Sequence, residues 1–144
     1  MYDDVLFPTD GSDGANEALA HALELAETHN STIHVLSVVD STYLGSAAAE
    51  ATTIESLQER TEQVVDETVE DIADHGTDVV AEHRMGDPYE EILDYAETAG
   101  VDMIVMGTHG RSGLDRFLLG SVTEKIVRTA DVPVLTVRLS DTES

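Results

Sequence analysis

Two stretches of the 144-residue chain combine glycine, hydroxyl and charged side chains in a way that could hold an anion. The first is Pro8-Thr9-Asp10-Gly11-Ser12-Asp13-Gly14. The second runs Gly107-Thr108-His109-Gly110-Arg111-Ser112-Gly113, then Leu114-Asp115-Arg116-Phe117-Leu118-Leu119-Gly120-Ser121, with four glycines between positions 107 and 120. Glycines let backbone N–H groups approach an oxyanion with no Cβ in the way, and a helix start adds unpaired donors and a favourable dipole. Local charge agrees with that chemistry. Residues 107–129 carry Arg111, Arg116, Lys125 and Arg128 against Asp115 and Glu124, an excess of two positive charges in a chain of formal charge −23. The same residues also suit ligand-free roles: Gly107 and Gly110 would serve a tight turn, and Ser121 would cap its own helix.

The elements that position these loops follow from periodicity. Five short apolar runs alternate with four segments of helical period, a pattern that predicts an α/β fold. The runs are Val5–Phe7, Ile33–Val39, Val79–Ala81, Val101–Met106 and Val134–Val137. They are rich in β-branched residues and mostly continuous, as strands of a parallel sheet covered on both faces should be. Ala15, Ala18, Leu19, Ala22 and Ala26 mark the inner face of a first helix, and Ile54, Leu57, Thr61, Val64, Val65, Thr68 and Ile72 a stripe on a second. Thr52 to Glu55 reads as a capping box opening that second helix, and Gly76 follows its end. Asp87 and Pro88 open a third helix that ends at Gly100, with Ile92, Leu93 and Ala96 inward. Ser121 to Glu124 reads as a second capping box, with Val122, Ile126 and Val127 inward. Residues 40–51 form a connection without a clear period.

Composition excludes several classes. With 7 basic against 30 acidic residues, the surface would be repelled by nucleic acid and anionic lipid, which bind largely by exchanging counterions for Lys and Arg. The absence of cysteine removes thiol chemistry and thiolate metal sites. The histidines show no metal-ligand spacing, and the acids of residues 53–74 read as a solvated face. No run approaches the ~20 apolar residues of a membrane crossing, so one cytoplasmic domain over 1–144 is expected. Basic residues are six arginines and the single Lys125, and this lysine depletion beside excess acid predicts a salt-adapted protein.

Neither a P-loop nor the G-x-G-x-x-G dinucleotide fingerprint is present. The spacing Gly107-x-x-Gly110, nine residues, then Gly120-Ser121 resembles the G-x2-G-x9-G-[ST] nucleotide motif of the universal stress protein family. The likeness extends through VLFPTDGSDGANEAL, HVLSVVD, GDPYEEIL and VPVLTVR, covering almost the whole chain. The resemblance implies an open, doubly wound, five-stranded parallel sheet of order 3-2-1-4-5 with four helices, and a bound ATP, with or without Mg2+. It implies that Asp10 accepts hydrogen bonds from ribose, that Val35 lies against adenine, and that Pro8 and Thr9 line the same edge. Met106 and Gly107 would border ribose and phosphates, while Gly110, Gly120, Ser121 and Val122 would contact phosphate, with Arg111 beside them. For Asp10, a turn or helix-cap role stays open. A homodimer through the edge strand Val132–Val137 is also implied.

A nucleotide-responsive binding module is the first functional expectation. An enzyme that hydrolyses ATP slowly with Mg2+, aided by Asp10 or Asp13, or transfers adenylyl groups, is the second. A dimeric interaction protein indifferent to nucleotide is the third. A phospho-accepting receiver domain fails, because Lys125 precedes strand five.

Overall fold

Apolar strands without alternation must be covered on both faces, and a parallel sheet achieves this by returning the chain through a helix. The computed structural model describes residues 2–40, 51–108 and 120–138. Five parallel strands, β1 (Asp4–Pro8), β2 (Thr32–Asp40), β3 (Asp78–Gly86), β4 (Met103–Gly107) and β5 (Val134–Val137), form one sheet of order β3-β2-β1-β4-β5. The connecting helices are α1 (Asp13–His29), α2 (Ala51–Asp74), α3 (Pro88–Ala99) and α4 (Ser121–Thr129). The α/β class and the order 3-2-1-4-5 are as expected.

Strands β1, β2, β4 and β5 contribute to two cores, and β3 to one of them through Val79. Val5, Phe7, Ile33, Val35 and Val105 pack against the alanine face of α1 and against Ile72 of α2. Leu6, Leu36, Ile104 and Met106 pack on the other side, against Ile92, Tyr95 and Ala96 of α3 and Ile126 of α4. The small side chains at 15, 18, 22 and 26 let α1 lie close to the sheet, where all four are buried.

Helix ends follow local chemistry. Asp87 accepts from the Tyr89 N–H at 3.1 Å, Pro88 opens α3, and Gly100 closes it at φ 67°. Gly76 turns the chain after α2 at φ 77°. Four expectations need correction. The helix α2 is already under way at Ala51, so Thr52 does not flank it as a cap. The cap of α4 is Gly120, which makes Ser121 its first helical residue. Thr123 is buried beside Ile126, and Val127 faces out at 45% exposure, because the phase of α4 is set by Thr123 bonding to the end of β4. β3 runs five residues beyond the predicted Ala81; as an edge strand it tolerates the polar half Glu82–Gly86. The unassigned connection falls largely at 41–50, outside the described residues.

A polar network crosses the lower part of the α3 face. The His34 ring bonds through Nε2 to Asp4 at 2.9 Å and through Nδ1 to the Tyr95 hydroxyl at 2.8 Å. Arg84 lies over the Tyr95 ring at 5.2 Å and pairs with Glu82, Glu91 and Asp94. His34 is thus a strand histidine with both nitrogens engaged, as buried polar groups require.

One contact fixes how the carboxyl end of the sheet is closed. A Cβ on Gly107 would stand 2.9 Å from the Gly14 carbonyl oxygen and 3.0 Å from its carbon, both backbone atoms in the first turn of α1. Only glycine permits this approach. Gly107→Ala should lower stability by roughly 1–3 kcal/mol, the usual cost of overpacking; denaturant unfolding at fixed salt checks it, and an unchanged midpoint would refute the contact.

Candidate functional site

The chain leaves β1 for β2 and β3 on one side and returns to place β4 and β5 on the other, so the switch point lies between β1 and β4. Three segments meet there: the β1–α1 loop, the end of β4, and the start of α4.

The β1–α1 loop is built by short side chains bonding to the backbone. The Thr9 N–H donates to the Leu36 carbonyl at 2.9 Å, and Thr9 Oγ1 accepts from the Gly11 N–H at 3.1 Å. Asp10 Oδ1 accepts from the Ser12 N–H at 2.9 Å, an Asx turn, and Ser12 caps α1 by accepting from the Ala15 N–H. Asp10 is therefore a turn residue and not the helix cap. The turn bond uses one of several acceptor positions on a carboxylate, so it is compatible with a second role.

The end of β4 is stitched to its neighbours. The Thr108 N–H donates to Val137 at 3.0 Å, the Gly120 N–H donates to the Thr108 carbonyl at 2.7 Å, and the Thr123 hydroxyl donates to the Gly107 carbonyl at 3.0 Å. These bonds hold the first turn of α4 over the carboxyl end of β4. Ser12 and Asp87 cap α1 and α3 with side chains, whereas Gly120 makes no side-chain cap bond. The first N–H groups of α4 therefore start from a position with no Cβ and no capping oxygen, and the helix dipole adds partial positive charge there. Sequence reasoning missed Thr123, whose signal was only its place in a helix already assigned an inner face.

Of the expected site residues, Pro8, Thr9 and Asp10 sit on the β1 side, and Met106, Gly107, Gly120, Ser121 and Val122 on the β4–α4 side. Gly110 and Arg111 lie outside the described residues, as do His109 and Arg116. Val35 is not brought to the same place as Met106. It is fully buried in the core under α1, whereas Met106 belongs to the core under α3 and α4. The β2 residue on the Met106 side, farther toward the carboxyl end and only partly buried, is Val38.

Shifted ionisations lie elsewhere, in the network under α3. The Arg84 guanidinium is held above its ordinary value, chiefly by its bond to Glu82, and burial pushes the Tyr95 phenol up. Among the described residues no group of three or more acidic or histidine side chains is arranged to hold a metal ion, and no helix is long and apolar enough to cross a membrane. A groove of about 370 Å³ between α1 and α2 is walled by Glu67, Glu70, Asp71 and Asp74, the wrong charge for a phosphate.

Comparison with known proteins agrees with this architecture. The model of the universal stress protein family matches residues 1–138. The chain is 36% identical over 141 residues to universal stress protein MJ0531 of Methanocaldococcus jannaschii, covering 96% of this chain and 83% of that one. The solved structure of MJ0577 from the same organism superposes with a TM-score of 0.90 at 33% identity, covering 98% and 99% of the two chains. Two more distant structures share the fold: a universal stress protein in complex with cAMP, at 24% identity, TM-score 0.75 and coverage of 96% and 99%, and Arabidopsis thaliana At3g01520 with AMP bound, at 18%, 0.74, and 98% and 94%. By its family match and its identity to these relatives, the chain belongs to the universal stress protein family.

Proposed function

We propose that this protein binds ATP at the carboxyl ends of β1 and β4 and acts as a nucleotide-responsive regulatory or stress-protection module. The observation that carries the reading is the start of α4: a helix N-terminus with a glycine cap, bonded to the end of β4 at the switch point of the sheet. The nucleotides bound by two structural neighbours, cAMP and AMP, support an adenine ligand. In this reading the N–H groups of Ser121 and Val122 face phosphate together with Gly110 and Arg111, Asp10 accepts from ribose, and Met106 and Val38 border the base. Val35 then acts as core beneath the site. Mg2+ would travel on the triphosphate. Binding is favoured over rapid turnover, because the sequence has neither a P-loop lysine nor an evident base for phosphoryl transfer.

Titration calorimetry with ATP, ADP, AMP and GTP at molar KCl tests the reading. Saturable adenine-nucleotide binding is expected, weakened about tenfold or more by Gly120→Val, or at least ~1.4 kcal/mol. Absence of binding to folded protein would overturn it.

We also read the protein as a cytoplasmic homodimer pairing through Val132–Val137. β5 is an edge strand, and Leu135 on it is an exposed large apolar residue, a combination that invites strand pairing. Light scattering at micromolar protein should give twice the 15.5 kDa chain mass; a monomer would refute the pairing. Finally, the charge of −23 predicts a melting temperature that falls as KCl is lowered from molar to millimolar. An unchanged melting temperature would remove the salt-adaptation reading.

A further inference from the structure

The nucleotide reading gives Asp10 a ribose contact but leaves open what holds the Asp10 loop. Two bonds shape it internally, from Gly11 N–H and Ser12 N–H, and the Thr9 N–H ties it to the Leu36 carbonyl on β2. From α2, the Val64 side chain packs against the loop. Gly11 has φ 78°, and the position its missing Cβ would take lies 2.8 Å from Val64 Cγ2 and 3.4 Å from Val64 Cγ1, on α2. Valine is β-branched and stiff at χ1, so on a helix its two methyls form a fixed surface. Gly11 is the one residue type that both adopts this backbone and fits under those methyls.

The neighbouring packing makes this contact selective. Beside it opens the groove between α1 and α2, whose lining includes Gly11, Asn16, Leu19 and Val64. Deeper anchors of α2 are Val65, Thr68 and Ile72, all buried, with Ile72 in the core under α1. Val64 is partly buried and stands at the groove, so it bears on the loop without being a keystone of the core.

We propose that Val64 is a positioning residue for nucleotide binding. Through Gly11 it fixes the Asx turn and thereby the Asp10 carboxylate, coupling α2 to ligand occupancy. The inference rests on the nucleotide reading above and goes beyond it in assigning α2 as the element that senses and sets the site. By reciprocity of linked equilibria, nucleotide binding must steady α2 as much as α2 steadies the site.

The test compares Val64→Ala with Val69→Ala, an equal truncation at a partly buried position on the same helix but outside the groove lining. Each protein is titrated with ATP and with 2′,3′-dideoxy-ATP, which lacks the hydroxyls that Asp10 would receive. In the parent protein, loss of both hydroxyls should weaken binding roughly tenfold, as for a hydrogen bond to a charged group. Val64→Ala should weaken ATP by a similar factor, leave dideoxy-ATP within about twofold, and so collapse the ratio. Val64→Ile should restore it, and Val69→Ala should keep it. A ratio in Val64→Ala equal to that of the parent overturns the proposal, since a merely structural loss would weaken both ligands alike. Amide hydrogen exchange at Gly11 and Ser12 gives a reading without ligand. Faster exchange in Val64→Ala alone supports the contact, and unchanged exchange refutes it. If the parent protein binds neither nucleotide while these amides still respond, the nucleotide reading fails and the mechanical contact stands.

Discussion

The carboxyl end of the sheet is organised by the approach of β4 to the first turn of α1. Gly107 can come this close to the Gly14 carbonyl because it has no Cβ to stand in the way. With β4 drawn in, its last carbonyls are presented to α4, where the Thr123 hydroxyl and the Gly120 N–H take them up. The same closeness brings the first turn of α1, and with it the β1–α1 loop, to Gly107, whose carbonyl α4 also binds. The glycines of the second loop therefore have more than one task. Gly107 is required by backbone packing, whatever ligand is present, while Gly120 caps α4 without a side-chain oxygen.

Much of the architecture is readable from residues because strong local signals agreed with one another. The β-branched runs, the alanine face of α1, Asp87-Pro88 before α3 and the glycines after α2 and α3 all point to alternating strands and helices. What was not readable is what tertiary packing decides. Five of the seven residues Ile33 to Val39 are apolar and the two polar ones, His34 and Ser37, fall on opposite faces, so the run does not say which face carries Val35, on the α1 side, and which Val38, on the α3 side. A continuous run in a doubly covered strand hides its own phase. In α4 the bond from Thr123 to Gly107 turns a hydroxyl inward and Val127 outward, which hydrophobic periodicity ranks the other way. The proposed site is suggested in the sequence by a spacing of glycines and an aspartate after a strand, whereas the bonds that stitch β4 to α4 belong to the fold.

Charge is distributed with the same division of labour. Seventeen acids against Arg60 and Arg84 fill residues 40–100, which include α2 and its acidic groove wall. The excess of basic residues over 107–129 is confined to the segment that contains α4 and leads into it. The chain is therefore acidic over most of its length and net basic only in the segment that leads into and includes α4, the one stretch whose composition suits an anionic ligand.

The most direct test of this account is an amide chemical-shift titration of the 15N-labelled protein with ATP at molar KCl. The account predicts saturable shifts centred on Asp10, Gly107, Gly120, Ser121 and Val122. Shifts absent from those amides, or centred on the α1–α2 groove instead, would contradict it.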